Sequence, residues 1–297
     1  MKEIQIISNI DRLKLCLTGH EDLFNYLQAS DDYQFDGGYI RMRSVERDED
    51  GKVEAIDALI YLDGMTYHYA DLHFNNKYLW LTLSNKVFYD FLTTDGKEKY
   101  SMLGVLINLI GMLNLRINNY TWVEVCVDAN LNQRKKLLSA LKSPDYIPIV
   151  NGKAYTTEEG KNGIKGYLKI FQGTRFGVIQ NPTLYFKNAD ESLVVTVYDK
   201  GREIKEKGQK DYIREWDEIK TGCLYRLEVR CKGDYIKAFC QSRKIDYYEF
   251  LYMLSTPSFR IELLEWLTDK IIYFNTVDAY GKKRQNKLTA FDACFLT

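Results

Sequence analysis

The residues of this chain that could carry out phosphoryl chemistry are concentrated in three short segments. They read WVEVCVDAN (122–130), LVVTVYDKGRE (193–203) and LYRLEVRCK (224–232). Apolar and polar residues alternate in each segment, and alternate side chains of a strand point to opposite faces. The pattern predicts three strands whose apolar faces form a core. Their other faces would carry carboxylates, a tyrosine, a lysine and arginines, which are groups that metal-assisted phosphoryl transfer uses.

Three carboxylates in these segments are candidate metal ligands: Glu124, Asp128 and Glu228. The two glutamates lie between aliphatic residues of predicted strands, where glutamate is disfavoured. A desolvated carboxylate is costly unless it is paired or bound to a metal. Hard oxygen ligands suit Mg²⁺ or Mn²⁺. The alternative is a set of cross-strand salt bridges, because Arg226 and Arg230 lie two positions either side of Glu228.

A candidate nucleophile, Tyr198, stands at the end of its predicted strand and shares a face with Lys200. A tyrosine can attack phosphorus when a base or a metal activates it. A lysine beside it can stabilise the phenolate or the transferring phosphate as a point charge. The alternative is a packing tyrosine, because YDKG also opens a turn well.

The sequence lacks the motifs of several other enzyme classes. His20, His68 and His73 show neither HxH nor HExxH spacing, and there is no Walker loop, GxGxxG or GxSxG motif. An ATP-binding enzyme, an NAD-dependent enzyme and a serine hydrolase are therefore less well supported.

Composition indicates an ordinary globular protein, with 45% hydrophobic and 28% charged residues among 297 and a net charge of zero. Acidic residues are in excess in the first half and basic residues in the second, a mild indication of an anion-facing half. The cysteines form no CxxC pair or zinc spacing, no signal peptide is evident, and the apolar stretch 103–113 is too short to span a bilayer. We therefore expect a cytoplasmic protein without membrane association.

The periodicity of the chain predicts an α+β fold with an antiparallel β-sheet core, flanking helices and further C-terminal helices. A similar element order in the two halves leaves an internal duplication of β-α-β units open. Asp128 or Asn130 could cap a helix at 131–142. Further helices are predicted at 21–29, 100–116, 212–220, 235–243, 247–254 and 259–274, and further strands at 39–45, 55–62, 66–69, 77–83, 166–171 and 182–187.

Together the three segments resemble the replication-initiation-factor superfamily, which includes replication initiators of rolling-circle plasmids and filamentous phages and some conjugative relaxases. VEVCVDA is similar to a family strand with two acidic positions, TVYDKGRE to a strand ending in Tyr-x-Lys, and YRLEVRCKGDYIKAF to an R-h-E-h-R strand followed by a helix. LWLTLSNKVFYDF is weakly similar to the substrate-facing strand of the phage group. The resemblance covers residues 75–240. It departs from the family where Trp122 and Glu124 replace the usual Arg and Asp.

The resemblance implies a site-specific nickase of single-stranded DNA. In such an enzyme Glu124, Glu228 and Asp128 would hold Mg²⁺ or Mn²⁺ at the scissile phosphate. Tyr198 would attack the phosphate, giving a 5′-phosphotyrosine and a free 3′-hydroxyl, and Lys200 would neutralise the developing charge. Family members use acidic ligands instead of paired histidines, and no nucleotide cofactor is implied.

The resemblance also implies DNA and host partners. Lys187, Arg226 and Arg230 would contact the DNA backbone. The substrate would be single-stranded or hairpin origin DNA, and a host helicase and polymerase would extend the 3′-hydroxyl. The alternatives are a relaxase for conjugative mobilisation, a non-catalytic origin-binding protein, and a structural protein with coincidental motifs.

Three regions are expected along the chain. Residues 1–120 would form an α+β half that binds DNA, residues 121–245 the catalytic nickase half, and residues 246–297 C-terminal helices with a basic tail at 282–287.

Overall fold

The computed structural model describes residues 5–90, 102–154, 168–175, 178–207, 224–277 and 283–295. The predicted α+β fold, an antiparallel sheet with flanking helices, is confirmed. The elements in chain order are β1 (Ile6–Thr18), α1 (Glu21–Ala29), β2 (Asp32–Phe35), β3 (Gly38–Arg47), β4 (Val53–Leu62), β5 (Ala70–Asn75), β6 (Leu79–Leu83), α2 (Val87–Asp90), α3 (Met102–Met112), β7 (Arg116–Ala129), α4 (Gln133–Lys142), β8 (Tyr146–Val150), β9 (Lys153–Ala154), β10 (Leu168–Arg175), β11 (Val178–Lys187), β12 (Leu193–Asp199), α5 (Lys200–Lys207), β13 (Tyr225–Lys232), α6 (Gly233–Arg243), α7 (Tyr247–Met253), α8 (Pro257–Ile271), β14 (Ile272–Val277), β15 (Lys283–Thr289) and α9 (Ala290–Phe295).

The chain forms two compact units. The first contains Met1–Ile10, Glu124–Cys231 and Thr256–Thr297, and the second contains Asp11–Val123 and Lys232–Ser255.

In the first unit, strands of the large sheet follow the order β10-β11-β12-β13-β7, and a small sheet follows the order β15-β14-β8-β9. Helices α4 and α8 both contact β12. The predicted core face is present, because Val125, Val195, Val197, Leu227 and Val229 are all fully buried. In β7, however, burial does not alternate toward the end of the strand, since residues 125–129 are all buried. This apolar core fixes which side chains of the same strands are left on the other face.

In the second unit the order is β7-β1-β6-β5-β4-β3-β2. Helix α1 buries Leu23, Phe24 and Leu27 on its inner side. Helix α6 begins at Gly233, where a Cβ atom would lie 2.0 Å from the backbone oxygen of Tyr120. Only glycine allows so close an approach of the two backbones.

Several predicted boundaries are wrong. Helix α3 ends at Met112, because the chain takes a left-handed conformation at Asn114 (φ 53°) and enters β7 at Arg116. Helix α4 is capped by Asn132, whose side chain accepts a hydrogen bond from the Lys135 backbone N–H, and by neither Asp128 nor Asn130. No strand forms at 66–69; β5 begins at Ala70.

The C-terminal prediction also needs correction. The predicted helix 259–274 ends at Ile271, and Ile272–Val277 form a strand paired with both β8 and β15. Its β-branched and aromatic residues favour that conformation. The basic residues predicted to form a tail are instead part of a strand, because residues 283–287 belong to β15. The helix predicted at 212–220 lies outside the described residues. No helix in the described parts of the chain is long and apolar enough to span a membrane.

Candidate active site

The candidate site is built on strands β12 and β13, whose antiparallel register pairs Tyr198 with Arg226 and Thr196 with Glu228. Cross-strand partners lie on the same face of a sheet. The opposite faces of these strands are in the core, so the polar side chains share the other face. The Tyr198 hydroxyl donates a hydrogen bond of 2.9 Å to Oε2 of Glu228. A carboxylate is therefore already positioned to accept the phenolic proton.

A buried cation touches the same phenolic oxygen. Lys200, the first residue of α5, is only 1% exposed, and its Nζ lies 3.2 Å from the Tyr198 hydroxyl. Its Nζ also donates a 2.8 Å hydrogen bond to Oε2 of Glu203. The Asp199 side chain accepts from the Arg202 backbone N–H at 2.8 Å, which starts the helix directly after the strand. The sharp change from strand to helix thereby holds Lys200 beside Tyr198.

Sequence reasoning assigned no role to Glu203, although its spacing from Lys200 could have indicated one. It lies three residues after Lys200, one helical turn away, where i,i+3 side chains meet. The motif YDKGRE contains it. Glu203 compensates the charge of a lysine that would otherwise be buried at high cost.

Glu124 of β7 lies close to Glu228. Carboxylate oxygens of the two residues are within 4.8 Å of each other, and both side chains are half-buried. Two carboxylates this close repel unless a proton or a cation lies between them. The donor set is all oxygen and carries two negative charges, so it fits Mg²⁺ or Mn²⁺. The sequence predicted this pair as metal ligands, and the strand geometry brings it together.

Asp128 and Arg226 form a buried bidentate pair. Nε of Arg226 lies 2.6 Å from Oδ1 of Asp128, and Nη2 lies 2.5 Å from Oδ2. The two side chains are 0% and 1% exposed. The sequence had assigned Asp128 to the metal and Arg226 to DNA, whereas in the structure both oxygens of Asp128 bind the arginine. Nη1 of Arg226 also lies 3.8 Å from Oε2 of Glu228, so the pair extends to the site.

The two remaining predicted DNA contacts lie on β11 and β13, the strands on either side of β12. Lys187, at the end of β11, forms an ion pair with Glu191. Arg230 is half-buried and lies two residues beyond Glu228 on β13, opposite Val194. Alternation places Arg230 on the same face as Glu228. The register also places Tyr185 of β11 opposite Thr196, so a second tyrosine shares this face.

Two buried cysteines belong to the strands that carry the site. Cys126 and Cys231 are both fully buried. Alternation places Cys231 on the core face with Val229, whereas Cys126 shares the face of Glu124. Burial, together with the nearby charge of Glu124, raises the pKa of the Cys231 thiol. Since a thiolate is the nucleophilic form, Cys231 is a poor competitor for the role that Tyr198 could take.

The structure is similar to that of a rolling circle replication initiator protein from Geobacillus stearothermophilus. The two align with a TM-score of 0.52 over 98% of this chain and 98% of that chain, at 13% sequence identity. No protein-family model matches the sequence, and no curated protein matches it. The likeness establishes a shared fold and agrees with the group of proteins that the three sequence segments resemble.

Proposed function

We propose that this protein is a replication initiator endonuclease that nicks single-stranded origin DNA with Tyr198 as the nucleophile. One observation carries the proposal: the Tyr198 hydroxyl is held between a carboxylate, Glu228, at 2.9 Å and a buried ammonium, Lys200, at 3.2 Å. A packing tyrosine has no need of both partners. The fold of the structural neighbour, a rolling circle replication initiator, supports the same role.

The proposed reaction is a phosphoryl transfer to tyrosine. Glu228 accepts the phenolic proton while the Tyr198 oxygen attacks the scissile phosphorus. The bond from phosphorus to the 3′-oxygen breaks, and that oxygen takes up a proton. The products are a 5′-phosphotyrosine and a free 3′-hydroxyl, with no change in the number of protons. The reverse reaction would rejoin the strand, because the phosphotyrosine conserves the energy of the phosphodiester.

Lys200 stabilises the negative oxygen during this transfer. It cannot move into solvent without leaving its hydrogen bond to Glu203, since its side chain is 1% exposed. A charge that is already held in place requires little reorganisation when the phenolate forms. Glu203 is a positioning residue, because its contact is with Lys200 and not with the nucleophile.

Glu124 and Glu228 would hold a divalent cation, Mg²⁺ or Mn²⁺. Such an ion supplies Lewis-acid stabilisation of charge on the phosphate. Arg226 is fully buried and would act through Glu228, which it approaches to 3.8 Å, with Asp128 fixing its orientation. Arg230 and Lys187 remain the proposed contacts to the DNA backbone.

The test is formation of a covalent protein–DNA adduct with single-stranded DNA from the protein's own replicon in Mn²⁺. Tyr198→Phe should form no adduct while binding the DNA normally. Tyr185→Phe is the matched control, because Tyr185 is a strand tyrosine on the same face, and it should form the adduct as the unmodified protein does. An undiminished adduct in Tyr198→Phe would refute the proposal. DNA binding without any adduct would favour a non-catalytic origin-binding protein.

The proposal includes the setting of the reaction. The 3′-hydroxyl would prime a host polymerase, with a host helicase opening the duplex, in the cytoplasm. A relaxase for conjugative mobilisation would use the same chemistry at a transfer origin. The two differ in the DNA recognised, so cleavage of replication-origin against transfer-origin oligonucleotides separates them.

A further inference from the structure

The sheet of the second unit carries a cavity of about 200 Å³ that the nicking chemistry does not use. Its walls include Lys14, Arg43, Asp57, His73 and Trp80. The register explains why they meet: Trp80 pairs with His73, and His73 pairs with Asp57. The opposite face of the same strands is core, and Leu79, Leu81 and Phe74 are fully or nearly fully buried. The cavity therefore lies on the outer, polar face of the sheet.

The cavity has a flat aromatic wall. The half-buried indole of Trp80 is supported by His73, at a ring distance of 5.5 Å, and by Tyr78, at 6.0 Å. The two neighbours restrict the movement of the indole, so its surface is ordered before any ligand arrives. An ordered aromatic surface beside a cavity suits a planar ligand, and nucleic-acid bases stack on such surfaces.

The carboxylates of the cavity are engaged in contacts within the protein. Asp57 accepts hydrogen bonds from Ser44 at 2.9 Å and contacts Nδ1 of His73 at 2.7 Å. Burial acts to raise the pKa of Asp57, but the contacts with His73 and Ser44 outweigh it and the pKa is lowered. Asp71 is likewise paired with His68 at 3.3 Å.

Two cations are left to face a ligand. Within the described residues, Lys14 and Arg43 have no ion-pair partner within 4.0 Å. Arg43 is exposed and interacts with Asp57 only electrostatically. An aromatic wall with two available cations matches a base attached to a phosphate.

The same face continues this chemistry on β3 and β4. Tyr39 and Tyr61 stack at 5.0 Å with their rings 14° from parallel, and Arg41 lies 5.1 Å from the Tyr39 ring centre. Arg41 pairs with Leu59, which lines the cavity, so these side chains share its face. Arg41 is itself paired with Asp32 at 3.1 Å, so what continues along this face is stacked aromatic surface, which favours a strand of several nucleotides over one small molecule.

We propose that this cavity binds one nucleotide of single-stranded DNA, with the base on Trp80 and the phosphate near Lys14 and Arg43. The inference rests on the proposed function in taking DNA as the ligand, and it adds a contact surface on the second compact unit, whereas Tyr198 belongs to the first. It predicts base stacking without strong sequence preference and a salt dependence set by the two cations.

The test measures equilibrium binding of a fluorescein-labelled single-stranded oligonucleotide by anisotropy, with the full chain carrying Tyr198→Phe so that no adduct forms. Trp80→Ala should weaken binding about 5- to 150-fold, the range that loss of one stacked base produces. Trp80→Phe should retain most of the affinity. The control is Tyr252→Ala, which removes an aromatic that is 64% exposed in the same unit and should have no effect.

The cations are tested through the salt dependence. Lys14→Gln and Arg43→Gln should each reduce the slope of log affinity against log salt by about 0.7, whereas exposed Lys237→Gln should leave it unchanged. Excess deoxynucleoside monophosphate should compete weakly. The proposal is overturned if Trp80→Ala folds and binds like Tyr252→Ala, if neither cation variant changes the slope, or if a mononucleotide binds as tightly as the oligonucleotide.

The two proposals fail in different assays. If the nicking proposal is wrong, the protein with Tyr198 intact forms no covalent adduct, and this result does not depend on the residue at position 80. Failure of the cavity proposal shows as unchanged oligonucleotide affinity, while adduct formation at saturating DNA continues.

Discussion

Breaking the buried pair between Asp128 and Arg226 should strongly destabilise the protein. Both side chains are essentially inaccessible, at 1% and 0% exposure, and two short hydrogen bonds join them. Asp128→Asn would leave the guanidinium buried with a neutral partner. Removing one member of such a pair costs about 3–5 kcal/mol of unfolding free energy. For a chain of 297 residues that corresponds to a fall in melting temperature of roughly 5–8 °C.

The assay is urea denaturation of matched variants, with the free energy taken from the transition midpoint and slope. Glu206→Gln is the control, because Glu206 pairs with Arg202 at a similar distance, 2.8 Å, but with side chains 55% and 32% exposed. Exposed pairs contribute on the order of 0–1 kcal/mol. The control should therefore differ little from the unmodified protein.

The double variant Asp128→Leu/Arg226→Met separates charge burial from packing. Replacing both members with apolar residues is often neutral or stabilising, so most of the lost stability should return. Nicking should stay impaired, because Glu228 would lose the guanidinium 3.8 Å away. The reasoning is refuted if Asp128→Asn costs under about 1 kcal/mol, or if the double variant loses the sum of the two single losses.

Three further predictions concern the site and its supports. Glu124→Gln or Glu228→Gln should abolish nicking and leave single-strand binding largely intact, and EDTA should do the same; full cleavage in EDTA would contradict the metal assignment. Lys200→Met should slow adduct formation about 100- to 1,000-fold, as loss of one preorganised donor does, and an unchanged rate would remove Lys200 from the chemistry. Asn132→Ala should lower stability by about 1 kcal/mol in urea denaturation through loss of the α4 cap, while exposed Ser139→Ala should have little effect.

The site strands were predictable because alternation is a local property. The spacing of Val125, Val127 and Val195 indicates the core face of each strand from a few consecutive residues. The residues between them must then lie on the opposite face. Tyr198, Lys200 and Glu228 were placed on a polar surface for that reason. The prediction of the fold class rested on the same local patterns.

The contacts between those residues were not predictable in the same way. Asp128 and Arg226 are 98 residues apart, and their pairing depends on the register of strands that the sequence does not display. The sequence placed both at a polar surface, whereas the structure buries them against each other. Neither residue type alone distinguishes a metal ligand or a DNA contact from a buried ion pair.

The prediction of the C-terminal elements was wrong for a different physical reason. Ile272–Val277 follow a helix without any breaking residue, so the apolar pattern of α8 continues into β14. Pairing with β8 and β15 decides the conformation, which is a tertiary effect. Lys287 belongs to β15, where it pairs with Asp269 and lies over the Tyr273 ring instead of extending in a tail.

The most direct test of the central claim is to map the DNA attachment site by mass spectrometry after trypsin digestion. Cleavage after Lys187 and Lys200 yields the peptide 188–200, in which Tyr198 is the only tyrosine. Tyr185 and Tyr225 fall in other tryptic peptides. We expect the nucleotide mass on peptide 188–200, at Tyr198. A nucleotide on a peptide that lacks residue 198 would contradict the assignment of the nucleophile.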